Sequence, residues 1–344
     1  MKLRWKRKNI LAFISILLII GFSNSCKNNP YLIDVSHISL ELDWNRFEIE
    51  LFNLNEANFD LENIMISKKY GDFFNLFSRN IINIGDTSDP AFKLHLLAFI
   101  NDPSINEVYE LTSEKYNDIS DIETSLEQGF KHYLYYFPDK PVPKIATCIS
   151  GFNYAIITTD SILGIGLDMY LGSNSNFYKL LSLPQYKTLN MSREFIVADA
   201  MKGWLTSDYI LDETKSNLLT QMIYHGKVLF ALDLMFPEME DRLKIGYTSE
   251  QVQWCKNNEG EMWAFYVDKE ILFSSSHMEI IKYIGEGPFT SGFPENSPGR
   301  TGWWLGWQIV KSYMRSHDNV TLEQLFLEEN AQKILTQSKY KPKK

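Results

Sequence analysis

The sequence predicts an α+β fold, predominantly helical, in which a small β-sheet lies between two sets of helices. Three observations carry this. Residues 60–137 repeat apolar side chains every three or four positions, residues 144–170 hold short apolar runs split by turn residues, and helical periodicity returns from about residue 191. A hydrophobic content of 44% over 344 residues is ample for one large core or two smaller ones.

Taken in order, Ile38, Leu40 and Leu42, then Phe47, Ile49 and Leu51, alternate with polar residues around a turn-like stretch at 43–46. Period-two alternation on both sides of a break predicts a strand pair across 38–52. In 60–137, Leu61, Ile64, Met65, Tyr70, Phe73, Phe74 and Phe77 recur at helical spacing, and the aromatic stripes read as core. Asp89-Pro90 predicts a helix start with proline at its first position. Helices follow near 90–100, 104–116 and 121–137 and are stopped by Pro138, Pro141 and Pro143.

Strands are predicted at 145–149, 154–159 and 162–167, split by Gly151-Phe152-Asn153 and by Asp160-Ser161. A polar loop at 172–176 precedes a helix near 191–205, and another helix spans 212–235 and stops at Pro237. Thr248 or Ser249 caps a helix over 249–258, and the next covers 260–273. Residues 285–302 read as a Gly/Pro-rich loop. The last helices cover 303–316 and a segment from Thr321 with Leu322, Leu325 and Phe326 as its apolar face. The chain thus divides into a strand pair and helical layer (38–143), a second body (144–338) and a basic tail (339–344) expected to be solvated and frayed.

The first 25 residues stand apart. Lys2, Arg4, Lys6, Arg7 and Lys8 precede a 13-residue apolar run from Ile10 to Phe22, then Ser23-Asn24-Ser25. That is the layout of a secretory signal peptide, and the run is shorter than the ~20 residues a spanning helix needs. Cys26 follows directly, which predicts lipoprotein processing with lipid on its thiol and residues 26–37 as a tether. Ser23 and Ser25 depart from the usual lipobox; an ordinary signal peptide or an uncleaved anchor would place the domain in the same compartment. Without residues 1–25 the formal charge moves from −9 to −14 over 319 residues. So acidic a domain argues against nucleic acid and against electrostatic docking on anionic lipid, leaving the N-terminal lipid as anchor. Cys148 and Cys255 are left either to pair in an oxidising envelope or to lie buried as free thiols.

Catalytic patterns are absent from the sequence. HExxH puts two imidazoles one turn apart with a glutamate base, but no two of the six histidines are spaced i, i+4. In Arg193-Glu194-Phe195-Ile196-Val197 the ligand positions hold a permanent cation and a hydrocarbon. A rescue through Asp199, His225 and another carboxylate remains as a variant of that scheme. There is no GxSxG, GxGxxG or GxxxxGK[ST], so neither a serine nucleophile nor a cofactor is expected. The segment 297–314 is unusual, with glycines at 299, 302 and 306 and three tryptophans within five residues. Either Trp303 and Trp307 share one buried helix face, or they wall a cleft with Arg300 at its lip, suited to a partner segment.

The chain resembles the GldB-type gliding-motility lipoproteins of Bacteroidetes. The resemblance rests on the 38–52 segment, Tyr224-His225-Gly226-Lys227-Val228 through Met235-Phe236-Pro237, residues 259–273, and Pro298-Gly299-Arg300 through Met314. The same order is similar to predicted gluzincin-type zinc peptidases, in which HExxH is followed by a Glu-Gly helix and a Gly-aromatic-xx-Gly helix. Against that pattern only Glu194 survives in the first slot, His225-Gly226 stands for Glu-Gly, and Gly302-Trp303-Trp304-Leu305-Gly306 keeps the third. The resemblance implies a zincin-like arrangement of 144–338 with a degenerate metal site and a non-catalytic, lipid-anchored role in gliding. Its partners would be other envelope proteins of the motility machinery, met on the periplasmic face of the inner or outer membrane. Candidate cleft or partner-binding residues are Glu194, His225, Arg300, Trp303 and Trp307, with Cys26 for lipidation. The competing expectations are an envelope zinc metallopeptidase with atypical ligands and a structural lipoprotein that binds through the 60–137 layer.

Overall fold

A computed structural model describes residues 29–342 and divides the chain into two units, Met1–Ile33 and Asp34–Lys344. The leader and Cys26 lie outside the described residues. Of the first unit, residues 29–33 form a turn in which the Tyr31 amide donates to Asn29 Oδ1 at 3.1 Å.

The second unit opens with β1 (Trp44–Arg46), which runs directly into α1 (Phe47–Phe52). The 38–52 strand pair is therefore corrected to one short strand and a helix. Phe47 and Leu51 are buried at a spacing of four and Ile49 points outward, so the alternation in the sequence coincides with a helix face. Glu48 is buried too, because Thr147 Oγ1 donates to it at 2.6 Å and Arg46 pairs with it at 2.5 Å. The ladder partner of β1 is β2 (Lys144–Cys148), a hundred residues away, with Trp44 opposite Ile145.

Between them lie α2 (Phe59–Tyr70), α3 (Asp72–Leu76), a π-helical turn at Phe77–Ile81, α4 (Phe92–Ile100), α5 (Pro103–Lys115) and α6 (Ser120–Tyr136). Pro90 does not start α4; the proline start belongs to α5, where Asp102 accepts from the amides of Ser104 and Ile105. Tyr70, Phe73, Phe74 and Phe77 are core, whereas Leu61, Ile64 and Met65 on the outer face of α2 are exposed.

Then come β3 (Ile156–Thr158) and β4 (Ile162–Gly166), a hairpin. The sheet order is β1-β2-β4-β3, with β2 parallel to both β1 and β4. Buried Asp168 pins the 150–152 turn after β2, accepting from the amides of Ser150 at 2.9 Å and Phe152 at 2.6 Å. Cys148 and Cys255 are free and buried, and burial pushes both thiols up.

The remaining helices are α7 (Asn176–Leu180), α8 (Gln185–Thr188), α9 (Ile196–Asp208), α10 (Leu218–Met235), α11 (Asp241–Ile245), α12 (Ser249–Asp268), α13 (His277–Ile284), α14 (Thr301–Arg315), α15 (Leu322–Leu327) and α16 (Ala331–Ser338). Thr248 and Thr321 each build a capping box. Two expected helices merge into α12, since Gly260 is carried inside it at a cost of about 1 kcal/mol. Helices α7, α8, α11, α13 and α16 arise where none is read from the sequence. The tail is not frayed throughout: the Tyr340 hydroxyl donates to Glu259 at 2.8 Å and its ring stands edge-on to Trp263 at 5.4 Å.

Helices α10 and α14 form the spine. A Cβ at Gly306 would lie 1.8 Å from the Met222 carbonyl oxygen, and one at Gly226 would lie 2.4 Å from the Gly306 carbonyl. The two backbones therefore touch, which only glycine permits. This contact sets the height of the residues beside the glycines, His225 and Trp307.

Candidate functional site

Glu194 lies in a 3₁₀ turn, Arg193–Phe195, ahead of α9, so residues 193 and 197 do not share a helix face. Arg193 turns toward the N-terminal layer. It chelates Asp121 with both nitrogens, donates to the Asp118 carbonyl at 2.7 Å and lies over the Tyr116 ring at 5.2 Å. Glu194 is exposed and pairs with Arg242 of α11 at 2.7 Å. That guanidinium holds its carboxyl below the usual carboxylate range and is itself pushed up by the pair. Asp199 accepts from the Tyr170 hydroxyl at 3.0 Å and pairs with Lys202 at 2.7 Å.

His225 stacks on Trp303, with centroids 4.0 Å apart and planes 14° from parallel. Burial, with the charges of Arg300 and Lys202 beside it, pushes its pKa down to about 3, so the imidazole is neutral. Arg300 lies over the same Trp303 ring at 4.7 Å and over Tyr247 at 5.6 Å. Its Nη2 donates to the Gly246 carbonyl at 3.1 Å and the Ile245 carbonyl at 3.4 Å, satisfying the end of α11. Arg300 also sits at φ 59°, as the left-handed residue before α14. The recess it lines with Asn190, Tyr247 and Glu286 is only about 20 Å³, room for one water.

The buried tryptophan pair is Trp304 and Trp307, 2% and 0% exposed, not Trp303 and Trp307. Trp307 Nε1 donates to Asp233 at 2.8 Å. Asp233 also holds Lys244 at 2.8 Å and Lys311 at 2.9 Å, and Lys311 lies over the Trp307 ring at 3.8 Å.

The structure thus gathers His225, Arg300 and Trp303 into one stack. It ties Glu194 to that stack through α11, whose Arg242 pairs with Glu194 and whose C-terminal carbonyls accept from Arg300. Trp307 belongs to a separate buried network. Sequence reasoning missed Arg242, Asp233, Lys244 and Lys311. The signal for Asp233 is present, a lone acid in the apolar run 228–236, where a buried charge demands a partner. Among the described residues no three His, Cys, Asp or Glu side chains group closely enough to hold a metal ion. No described helix is long and apolar enough to cross a membrane.

Fold and site together define a helix-rich α+β protein whose central residues are engaged with one another through stacking and ion pairs. No curated protein and no solved structure matches the chain. The family model described as gliding motility protein GldB matches residues 28–342, and the chain belongs to that family.

Proposed function

We propose that the chain is held in the cell envelope by lipid on Cys26 and serves gliding as a binding or assembly component of the motility machinery, without catalysis. The scaffold for this would be a zincin-like one whose metal site has decayed. The observation that carries the reading is the engagement of the peptidase-like slots. Glu194, the one surviving acid, is paired with Arg242 and held as a weak base, and His225 is sandwiched against Trp303 beside a permanent cation. A general base works best with a pKa near the operating pH, and neither group is placed there. Membership of a gliding-motility family supports the cellular role.

Complementation of a non-gliding deletion strain tests it. Glu194→Ala and Arg300→Ala variants at normal abundance are expected to lose gliding; full gliding in both would remove this surface from the function. Stoichiometric zinc in the purified protein, abolished by His225→Ala, would replace the binding reading with a metallopeptidase. Cys26→Ala should lose fatty-acid labelling, and unchanged labelling would refute lipidation there.

A further inference from the structure

The turn after α16 builds a basic recess. Lys339 takes a left-handed conformation, Tyr340 docks on Glu259, and Lys341 is brought beside α12 and α14. The recess has a volume of about 250 Å³ and gathers Lys256, Lys311, Arg315 and Lys341 against only two carboxylates, Asp241 and Glu259. Both carboxylates are already engaged. Asp241 pairs with Lys256 at 3.3 Å, and Glu259 accepts from Trp304 Nε1 at 3.2 Å and from Tyr340 at 2.8 Å. Lys311 is engaged with Asp233. Arg315 and Lys341 are exposed and have no acidic partner among the described residues. In a chain of formal charge −9, two uncompensated cations converging on one concavity are not explained by composition.

We propose that this recess receives the carboxylate side chains of an acidic protein segment. The proposal rests on reading the chain as a binding component. Two features select this ligand. A concavity is entered by a protruding side chain, whereas a flat lipid surface meets protrusions. A guanidinium beside an ammonium matches a carboxylate, with Arg315 able to bind it through two nitrogens.

The test uses the full chain in detergent and fluorescein-labelled octaglutamate, with octaglutamine as control, followed by fluorescence anisotropy. Octaglutamate is expected to bind, octaglutamine not, with an affinity that falls steeply as salt rises. Arg315→Glu/Lys341→Glu should weaken binding at least tenfold, and Arg315→Gln/Lys341→Gln by less. An unchanged thermal midpoint would show that both variants fold. Equal affinity of the charge-reversed variant would overturn the assignment. So would equal binding of octaglutamine, or binding only of inorganic phosphate or phosphatidylglycerol vesicles. Failure here removes the recess alone; the gliding of Glu194→Ala and Arg300→Ala tests the other surface independently, and zinc analysis tests the binding reading itself.

Discussion

The helical layer ahead of β2 and the α10–α14 spine bury their cores by opposite means. In the layer, Phe47 meets Tyr70, Phe73, Phe74 and Phe77 edge-on at 4.7, 5.5, 5.9 and 5.0 Å. Such a cluster is broad, apolar and able to shift. In the spine, two backbones touch at Gly226 and Gly306, and the flanking side chains carry charge and hydrogen bonds. Aromatic packing gives stability that neighbours can redistribute, whereas backbone contact gives position. The site residues on α10 and α14 belong to the second kind.

The largest effect that could break this contrast is at Gly306. Gly306→Ala drives a methyl onto the Met222 carbonyl, which cannot step aside as a side chain would. The loss should exceed the ~1–3 kcal/mol usual for overpacking. Phe77→Leu in the layer should cost about 1 kcal/mol, because the volume change is modest and neighbouring rings can close in. Urea denaturation of both variants checks this; comparable losses would erase the distinction between the regions.

Next comes Asp233. Asp233→Ala strands Lys244, which is 3% exposed, and leaves Trp307 Nε1 without its acceptor. Removing one member of a buried pair costs about 3–5 kcal/mol, most of it from the orphaned charge. Asp233→Leu/Lys244→Leu should therefore be more stable than Asp233→Ala, with Lys311 still able to reach solvent. If the double variant is the less stable, the network contributes more than compensation of its own burial.

The same contrast explains what could be read from the chain. Elements with strong local patterns were legible: the three strands within 144–170, helices α5, α6 and α10, and a helix cap at Thr248 or Ser249, which the structure places at Thr248. What failed was non-local. Residues 47–51 alternate like a strand but are helical, because a buried Glu48 finds Thr147 a hundred residues away. Asp89-Pro90 and Asp102-Pro103 offer the same local signal, and only packing chooses between them. At the site, His225, Arg300 and Trp303 do meet, whereas Trp307 and Trp303 part company because α14 turns Trp304 inward. Arg242 lies in a short amphiphilic stretch with nothing in its own sequence to mark the pair with Glu194.

His225 sharpens the contrast through pH. Its pKa is about 3 in the folded chain against an ordinary value of 6.5, so the unfolded chain binds more protons between the two. Its contribution is fully present above pH 6.5 and is lost as pH falls toward 3. His225→Phe keeps a ring on Trp303 and removes the titration. The variant should be spared roughly 2–4 kcal/mol of acid destabilisation across that window. Parallel stability–pH curves for the two proteins would mean the imidazole is open enough to protonate in place.

The smallest effect separates backbone from side chain at Arg300. Both Arg300→Ala and Arg300→Gly remove the guanidinium from the Gly246 carbonyl and the Trp303 face, so those losses cancel between them. They differ at φ 59°, where a side chain costs about 1 kcal/mol and glycine is free. Arg300→Gly should therefore be the more stable by about that amount in thermal denaturation. That outcome would mean the stack holds Arg300 in a conformation its backbone resists, with side-chain contacts fixing the start of α14. The reverse order would place the rigidity of the spine in its glycine contact alone and leave Arg300 as a passenger on it.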